Sequence, residues 1–296
     1  MGSPGFAVPA LEALAARYPI FGVVTQPDRP AGRGRTLSPS AVKQAALRLG
    51  IPLIQPERLR FPEAMEQLRA WAPNLIVVAA FGQILRQDVL ELPRFGCVNV
   101  HASLLPHWRG AAPIQAAILA GDAETGVTIM KMDAGVDTGP ILSQRAIPIT
   151  PMDTAGTLFD KLSHLGADLL LETLPVYLSG ALQPKPQPTE GATYASMLKK
   201  EDGLLDFSQS AAALERRVRA FHPWPGAWVL WQDAPLKILR AHVATGHAGA
   251  GMRLTHQGQP ALTAADGLLV LDEVQPAGKK PMPGKAFLTG TRAWAN

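Results

Sequence analysis

A single cysteine in 296 residues, Cys97, rules out an internal disulfide and any metal cluster built on several thiolates. It opens an apolar stretch, where a thiol is a small buried hydrophobe before it is a nucleophile. Long hydrophobic runs are missing too, because the strongest, Leu75–Phe81 ("LIVVAAF"), is far too short to cross a bilayer. No basic-apolar-small leader opens the chain, so a cytoplasmic protein with no membrane association is expected. There is no internal repeat, no G-x-S-x-G nucleophile elbow and no histidine pair at metal-ligand spacing. Nor does a G-x-G-x-x-G follow any strand, which disfavours a nicotinamide-dependent dehydrogenase.

The composition is that of an ordinary globular chain, 47% hydrophobic and 18% charged, long enough for two modest domains or one large one. Charge is unevenly placed. Residues 1–180 hold 15 Lys and Arg against 15 Asp and Glu, whereas residues 181–296 hold 13 against 9, so the whole net charge of +4 lies in the last part. A basic part attached to a neutral one suggests a polyanionic partner, although a solvated basic surface would read the same way.

Short apolar runs alternate with helix-length segments up to about Leu178. Ile20–Gln26, the "PLIQP" stretch, Asn74–Phe81 and Cys97–His101 read as strands. Helices are predicted over Val8–Arg17, Ser40–Gly50, Pro62–Trp71, Gln83–Leu92 and Ala111–Gly121, with one or two more in Asp153–Gly180. Two further strands follow Gly121, around a Gly-containing loop. This alternation predicts an α/β fold, a Rossmann-like, doubly wound and mostly parallel sheet covered on both faces. Pro184, Pro186 and Pro188 then mark an extended linker over 181–199. One helix (Ser208–Phe221) and five short strands follow, predicting a small β-barrel of the oligonucleotide-binding type over 200–296.

Within the strand Cys97–His101, Asn99 and His101 lie two residues apart and share a face, opposite Val98 and Val100. They stand at its carboxyl end, where open α/β sheets gather ligands. The loop Met132–Pro140 ("MDAGVDTGP") brings Asp133 and Asp137 to the same edge. An amide donor, an imidazole and a carboxylate together suit acyl transfer without a covalent intermediate: Asn99 donates to a developing oxyanion, His101 stabilises it or shuttles a proton, and Asp137 orients and tunes the imidazole. The same residues could instead satisfy backbone groups at a strand end, and spacing alone leaves both readings open.

The stretch Asn99–Gln115 ("NVHASLLPHWRGAAPIQ"), with "GVTIMKMDAGVDTG" after it, resembles the signature of the formyltransferases that use 10-formyltetrahydrofolate. Thr25–Arg35 ("TQPDRPAGRGR"), Arg219–Trp228 ("RAFHPWPGAW") and Val274–Met282 ("VQPAGKKPM") narrow the resemblance to members that act on methionyl-initiator tRNA. It runs through nearly the whole chain. It implies transfer of the formyl group from folate N10 to the amino group of the esterified methionine, with Asn99, His101 and Asp137 as the catalytic trio. It implies a folate site lined by Ser103, Leu104, Leu105 and Pro106, and no metal. The loop Gln26–Pro39 would lie against the acceptor stem, its Arg29, Arg33 and Arg35 contacting phosphates and base edges. Lys199, Lys200, Arg216, Arg217, Lys279 and Lys280 are candidates for RNA backbone contacts. No obligate protein partner is implied. Competing readings are the same chemistry on a sugar-nucleotide amine or a small amine, hydrolysis to free formate, or an RNA-binding protein with an inactive catalytic domain.

One departure stands out. The resemblance calls for a hydrophobic first strand leading into the loop "GSPGFA", whereas here Met1 stands directly before it. A first strand usually lies centrally in such a sheet. The expectation is therefore a chain short of one strand, ~5–8 residues, through a start assigned too late.

Overall fold

The computed structural model describes all residues except 32–35, 247–248, 292–293 and 296. Two compact units are drawn from discontinuous stretches. The first comprises Met1–Pro113, Glu124–Pro148 and Phe159–Ser196; the second comprises Ile114–Ala123, Ile149–Leu158 and Met197–Asn296.

In the first unit, Val23–Val24 pairs in parallel with Leu53–Ile54. A four-stranded sheet runs in the order Ile76–Val78, Cys97–His101, Glu124–Lys131, Ile141–Pro148. The first pairing in it is parallel and the other two are antiparallel. The expected parallel pairing holds on the Ile76–Val78 side, and Glu124–Lys131 with Ile141–Pro148 adds an antiparallel edge, the 132–140 connection between these two being too short for a crossover. The antiparallel direction starts that loop at the Cys97 end, where the Met132 N–H donates to the Cys97 carbonyl (2.8 Å), and not at the carboxyl end of Cys97–His101 as expected.

The helices start where local chemistry allows. Ser40 Oγ accepts from the Lys43 N–H (3.0 Å) ahead of Ala41–Arg48, which buries Val42, Ala45 and Ala46. Pro62–Trp71 begins on a proline, whose missing N–H costs nothing there, and buries Ala64, Met65 and Leu68. The predicted helix over 83–92 shrinks to Gln87–Leu90. Gly82 has φ +76°, and the Gln83 side chain accepts from the Leu59 N–H (3.0 Å), so this segment is pinned as a loop. Ala155–Leu178 is one 24-residue helix. Gly166 lets it close on the strand, because a Cβ there would stand 2.7 Å from Val100 Cγ1.

Met1 and Gly2 lie between the parallel pair and the four-stranded sheet. The Met1 ammonium donates to the Val77 carbonyl (2.7 Å), Ala79 N–H to the Met1 carbonyl (3.0 Å) and Gly2 N–H to the Val24 carbonyl (3.1 Å). Beside them opens an apolar cavity of about 400 Å³ bordered by Met1, Leu14, Ile20, Trp71, Ile76 and Leu174. Burial pushes the amine from its ordinary 8.0 down to about 6, because charge is disfavoured away from water.

The segment read as a linker is tied down along much of its length. Lys185 and Ile141 exchange backbone hydrogen bonds (2.7 and 2.8 Å), and Tyr194–Ala195 pairs in parallel with Arg109–Gly110. Gly110 is required at that point: its φ is +113°, and a Cβ would stand 2.6 Å from the Ala195 carbonyl oxygen.

The second unit carries a curled antiparallel sheet, a half-barrel, in the order Ala227–Trp231, Ala234–Ala244, Leu268–Gln275, Gln259–Thr263, Arg253–His256. The short strand Met282–Pro283 adds to Leu268–Gln275. Two-residue turns close two of its hairpins, Gln232–Asp233 and Gln257–Gly258, all four residues with positive φ. Helix Ala211–Ala220, capped by Ser210, buries Leu214 and Val218 in the same core as Leu236, Ile238, Leu269 and Leu271. No helix among the described residues is long and apolar enough to cross a membrane.

Candidate active site

Every residue of Cys97–His101 is buried, and its alternation sorts the side chains as the sequence predicts. Asn99 and His101 are 8% and 6% exposed, so each polar group needs partners. Asn99 Nδ2 donates to Asp137 Oδ1 at 3.2 Å. His101 Nε2 donates to the Trp108 carbonyl at 3.1 Å, which leaves Nδ1 as the nitrogen facing Asp137 Oδ2, 3.7 Å away. That separation is an electrostatic contact rather than a hydrogen bond. Asp137 Oδ2 also accepts from the Gly110 N–H at 2.9 Å. Asp137 itself has φ +52°, so its carboxylate reaches this place from a left-handed backbone.

The turn after the strand is held from below. Thr128 Oγ1 donates to the Ser103 carbonyl (2.6 Å) and accepts from the Leu105 N–H (3.0 Å). Gln144 Nε2 donates to the Leu105 carbonyl (2.8 Å). Ser103 and Leu105 turn inward and are buried, the hydroxyl donating to the His107 carbonyl (2.6 Å), while Leu104 and Pro106 keep partial exposure. Of the four residues expected to line a folate pocket, these two present side-chain surface. In the 132–140 loop, Asp133 Oδ1 accepts from Gly135 N–H and Thr138 Oγ1, bracing the turn and leaving Val136 55% exposed. Among the described residues no group of three or more His, Cys, Asp or Glu is placed to hold a metal.

Cys97, at the other end of the strand, takes no part in this chemistry. It is 1% exposed, its Sγ lies 3.6 Å from the Val89 carbonyl, and burial pushes the thiol up to about 12.

The expected RNA contacts separate into groups. Arg29 is exposed, and Asp28 does not neutralise it, because the Asp28 carboxylate is bound by Lys43 Nζ (2.6 Å) and Gln55 Nε2 (2.7 Å). Those bonds hold the Asp28 carboxyl below its usual range, the Lys43 contact first. Arg33 and Arg35 lie outside the described residues. Lys199, Lys200, Lys279 and Lys280 are exposed. Arg216 and Arg217 are half-buried, and their guanidinium groups donate to backbone carbonyls of the second unit, Leu119 and Asp202 respectively. Arg217 also lies over the Phe221 ring at 5.1 Å. These two hold the fold together as well as carrying charge.

The sequence reading missed three contributors to the site: Arg109, Gly110 and Gln187. Gln187 Oε1 accepts from Arg109 Nε (3.0 Å) and Nη2 (2.7 Å), and its Nε2 donates to the Asp137 carbonyl (2.8 Å) and the Gly139 carbonyl (2.7 Å). A glutamine inside a proline-rich run carries no periodic signal that would have marked it.

Known proteins place this architecture. Residues 9–174 match the family model described as formyl transferase, and residues 197–292 the one described as formyl transferase, C-terminal domain. The chain belongs to the methionyl-tRNA formyltransferase family. The protein of that name from Roseiflexus sp. (strain RS-1) is 50% identical over 297 residues, covering 99% of this chain and 91% of that protein. The one from Thiobacillus denitrificans (strain ATCC 25259 / T1) is 53% identical over 294 residues, covering 98% and 94%. Among solved structures, an N-formyltransferase from Helicobacter canadensis, in complex with folinic acid and dTDP-3-aminofucose, has the same fold at a TM-score of 0.67 and 19% identity, over 93% of this chain and 97% of that one. A methionyl-tRNA formyltransferase from Clostridium thermocellum matches at a TM-score of 0.53 and 20% identity, over 76% and 86%.

Proposed function

We propose that the protein transfers the formyl group of 10-formyltetrahydrofolate to the α-amino group of methionyl-initiator tRNA. The observation that carries this reading is the convergence of the Asn99, His101 and Asp137 side chains, in a chain about 50% identical to methionyl-tRNA formyltransferases.

The neutral amine attacks the formyl carbon, and the carbonyl oxygen gathers negative charge. Asn99 keeps one amide proton on Asp137 and has its second Nδ2 proton to donate to that oxyanion. His101 has Nε2 committed to the Trp108 carbonyl, so Nδ1 exchanges the proton: it takes one from the attacking amine and returns it to folate N10 as the bond from N10 to the formyl carbon breaks. Asp137 lies beside Nδ1 and stabilises the imidazolium formed between those two events. No protein nucleophile is needed. Placing the amine against the formyl carbon supplies the rest of the acceleration.

On the RNA side, Arg29, Arg33 and Arg35 contact the acceptor end, and Lys199, Lys200, Lys279 and Lys280 contact phosphates, with Arg216 and Arg217 contributing charge from the helix Ala211–Ala220. The test is direct. The protein is incubated with 10-formyltetrahydrofolate and methionine charged on initiator or elongator tRNA, and the formylated ester is followed. Fast formylation of the initiator species is expected, with KM for tRNA rising steeply as salt increases. Preferential formylation of a sugar-nucleotide amine, release of free formate as the main product, or a salt-independent KM would overturn the reading.

A further inference from the structure

We propose that Gln187, together with Arg109, is a positioning residue for formyl transfer, holding Asp137 where it serves Asn99 and His101. This rests on the function proposed above. Gln187 sits between Pro186 and Pro188, and the residue before a proline is biased towards an extended backbone. Such a backbone sends the side chain sideways from the run, and here it reaches the loop that carries Asp137. All four hydrogen-bonding positions of the amide are used, two accepted from Arg109 and two donated to the carbonyls of Asp137 and Gly139. Only an amide can do both: a carboxylate of the same length keeps the Arg109 bonds and loses the two donations.

Arg109 is 8% exposed and has no carboxylate partner among the described residues. Its charge falls on Gln187 Oε1, making a charge-assisted bond that polarises the amide and strengthens the N–H bonds at its other end. Those bonds hold the peptide before Thr138 and the peptide after Gly139. Asp137 there has the left-handed φ of +52°, a conformation that persists only while its surroundings impose it. With the clamp gone, the backbone has a cheaper conformation available. The carboxylate then leaves its contacts with Asn99, Gly110 and His101 while the substrate-binding surfaces stay in place.

The experiment compares Gln187→Ala and Gln187→Glu with the wild type in steady-state formylation of initiator methionyl-tRNA, alone and combined with Asp137→Asn. Both single variants are expected to lose up to about 100-fold in kcat, the order of loss from a misplaced catalytic group, with little change in KM for either substrate. Gln187→Glu, which keeps the Arg109 bonds, is expected to melt close to the wild-type temperature while still losing kcat. In the Asp137→Asn background the Gln187 substitutions are expected to add almost nothing, since residues acting through one group are not additive. Wild-type kcat in Gln187→Glu, or full additivity with Asp137→Asn, overturns the inference. A wild-type protein that does not formylate methionyl-tRNA overturns instead the function on which it rests.

Discussion

Replacing His101 with alanine is expected to lower kcat by roughly two to three orders of magnitude, and Asn99→Ala by a similar factor, the usual range for one lost stabiliser of a developing oxyanion. The two act at different moments. In the proposed mechanism Asn99 meets the charge on oxygen, and His101 carries the proton between the two nitrogens. Both interactions strengthen as the tetrahedral intermediate forms, so KM for folate and tRNA should move little. Asp137→Asn should cost a comparable factor. An asparagine can still accept from the Gly110 N–H, but it offers His101 no negative charge. Single-turnover formylation with both substrates saturating isolates the chemical step. Near-normal rates in the His101 or Asn99 variant would falsify the catalytic assignment, and a loss confined to folate affinity in Asp137→Asn would make that residue a binding group.

The second large effect is expected at the amino terminus, on stability. The Met1 amine ordinarily titrates at 8.0 and in the folded protein at about 6, so between those values the unfolded chain binds more protons. Stability therefore rises with pH from about 6 to 8. The difference is worth roughly 2–3 kcal/mol, fully present above about pH 8 and lost by about pH 6. Acetylating the amine removes the charge yet leaves an N–H for the Val77 carbonyl. Acetylation is therefore expected to flatten the pH dependence. Identical melting temperatures at pH 6 and pH 8 for the unmodified protein would contradict the argument.

The strand Cys97–His101 was legible because the signal there is purely local. Period-two alternation assigned Val98 and Val100 to one face and Asn99 and His101 to the other, and the fold left no other choice. Asp137 reaches the site by a route the sequence did not show. Glu124–Lys131 runs antiparallel, so the loop 132–140 leaves at the Cys97 end of the neighbouring strand. The carboxylate is brought to Asn99 by its own bond there and by the Gly110 N–H. Periodicity carries no strand direction, so a parallel expectation gave way to antiparallel pairs on this side of the sheet. The helix expected over 83–92 was shortened by a side-chain bond from Gln83 to another loop, and no local pattern encodes such a bond. Arg216 and Arg217 show the same limit from the other side. A sequence displays their charge, but only the fold shows that carbonyls at Leu119 and Asp202 already occupy them.

The burial of Cys97 turns the protein's sole sulfhydryl into a reporter of its own opening. In the folded state the group is sheltered at the start of the strand Cys97–His101 and poorly ionised, so an alkylating reagent has almost nothing to attack. Modification must wait for a fluctuation that lifts the strand out of the sheet. Its rate relative to the denatured chain then measures the free energy of that fluctuation at one defined place. A ligand that binds only the closed site slows the reaction by the factor 1 + [L]/Kd, so occupancy next to Asn99 and His101 can be followed without any turnover.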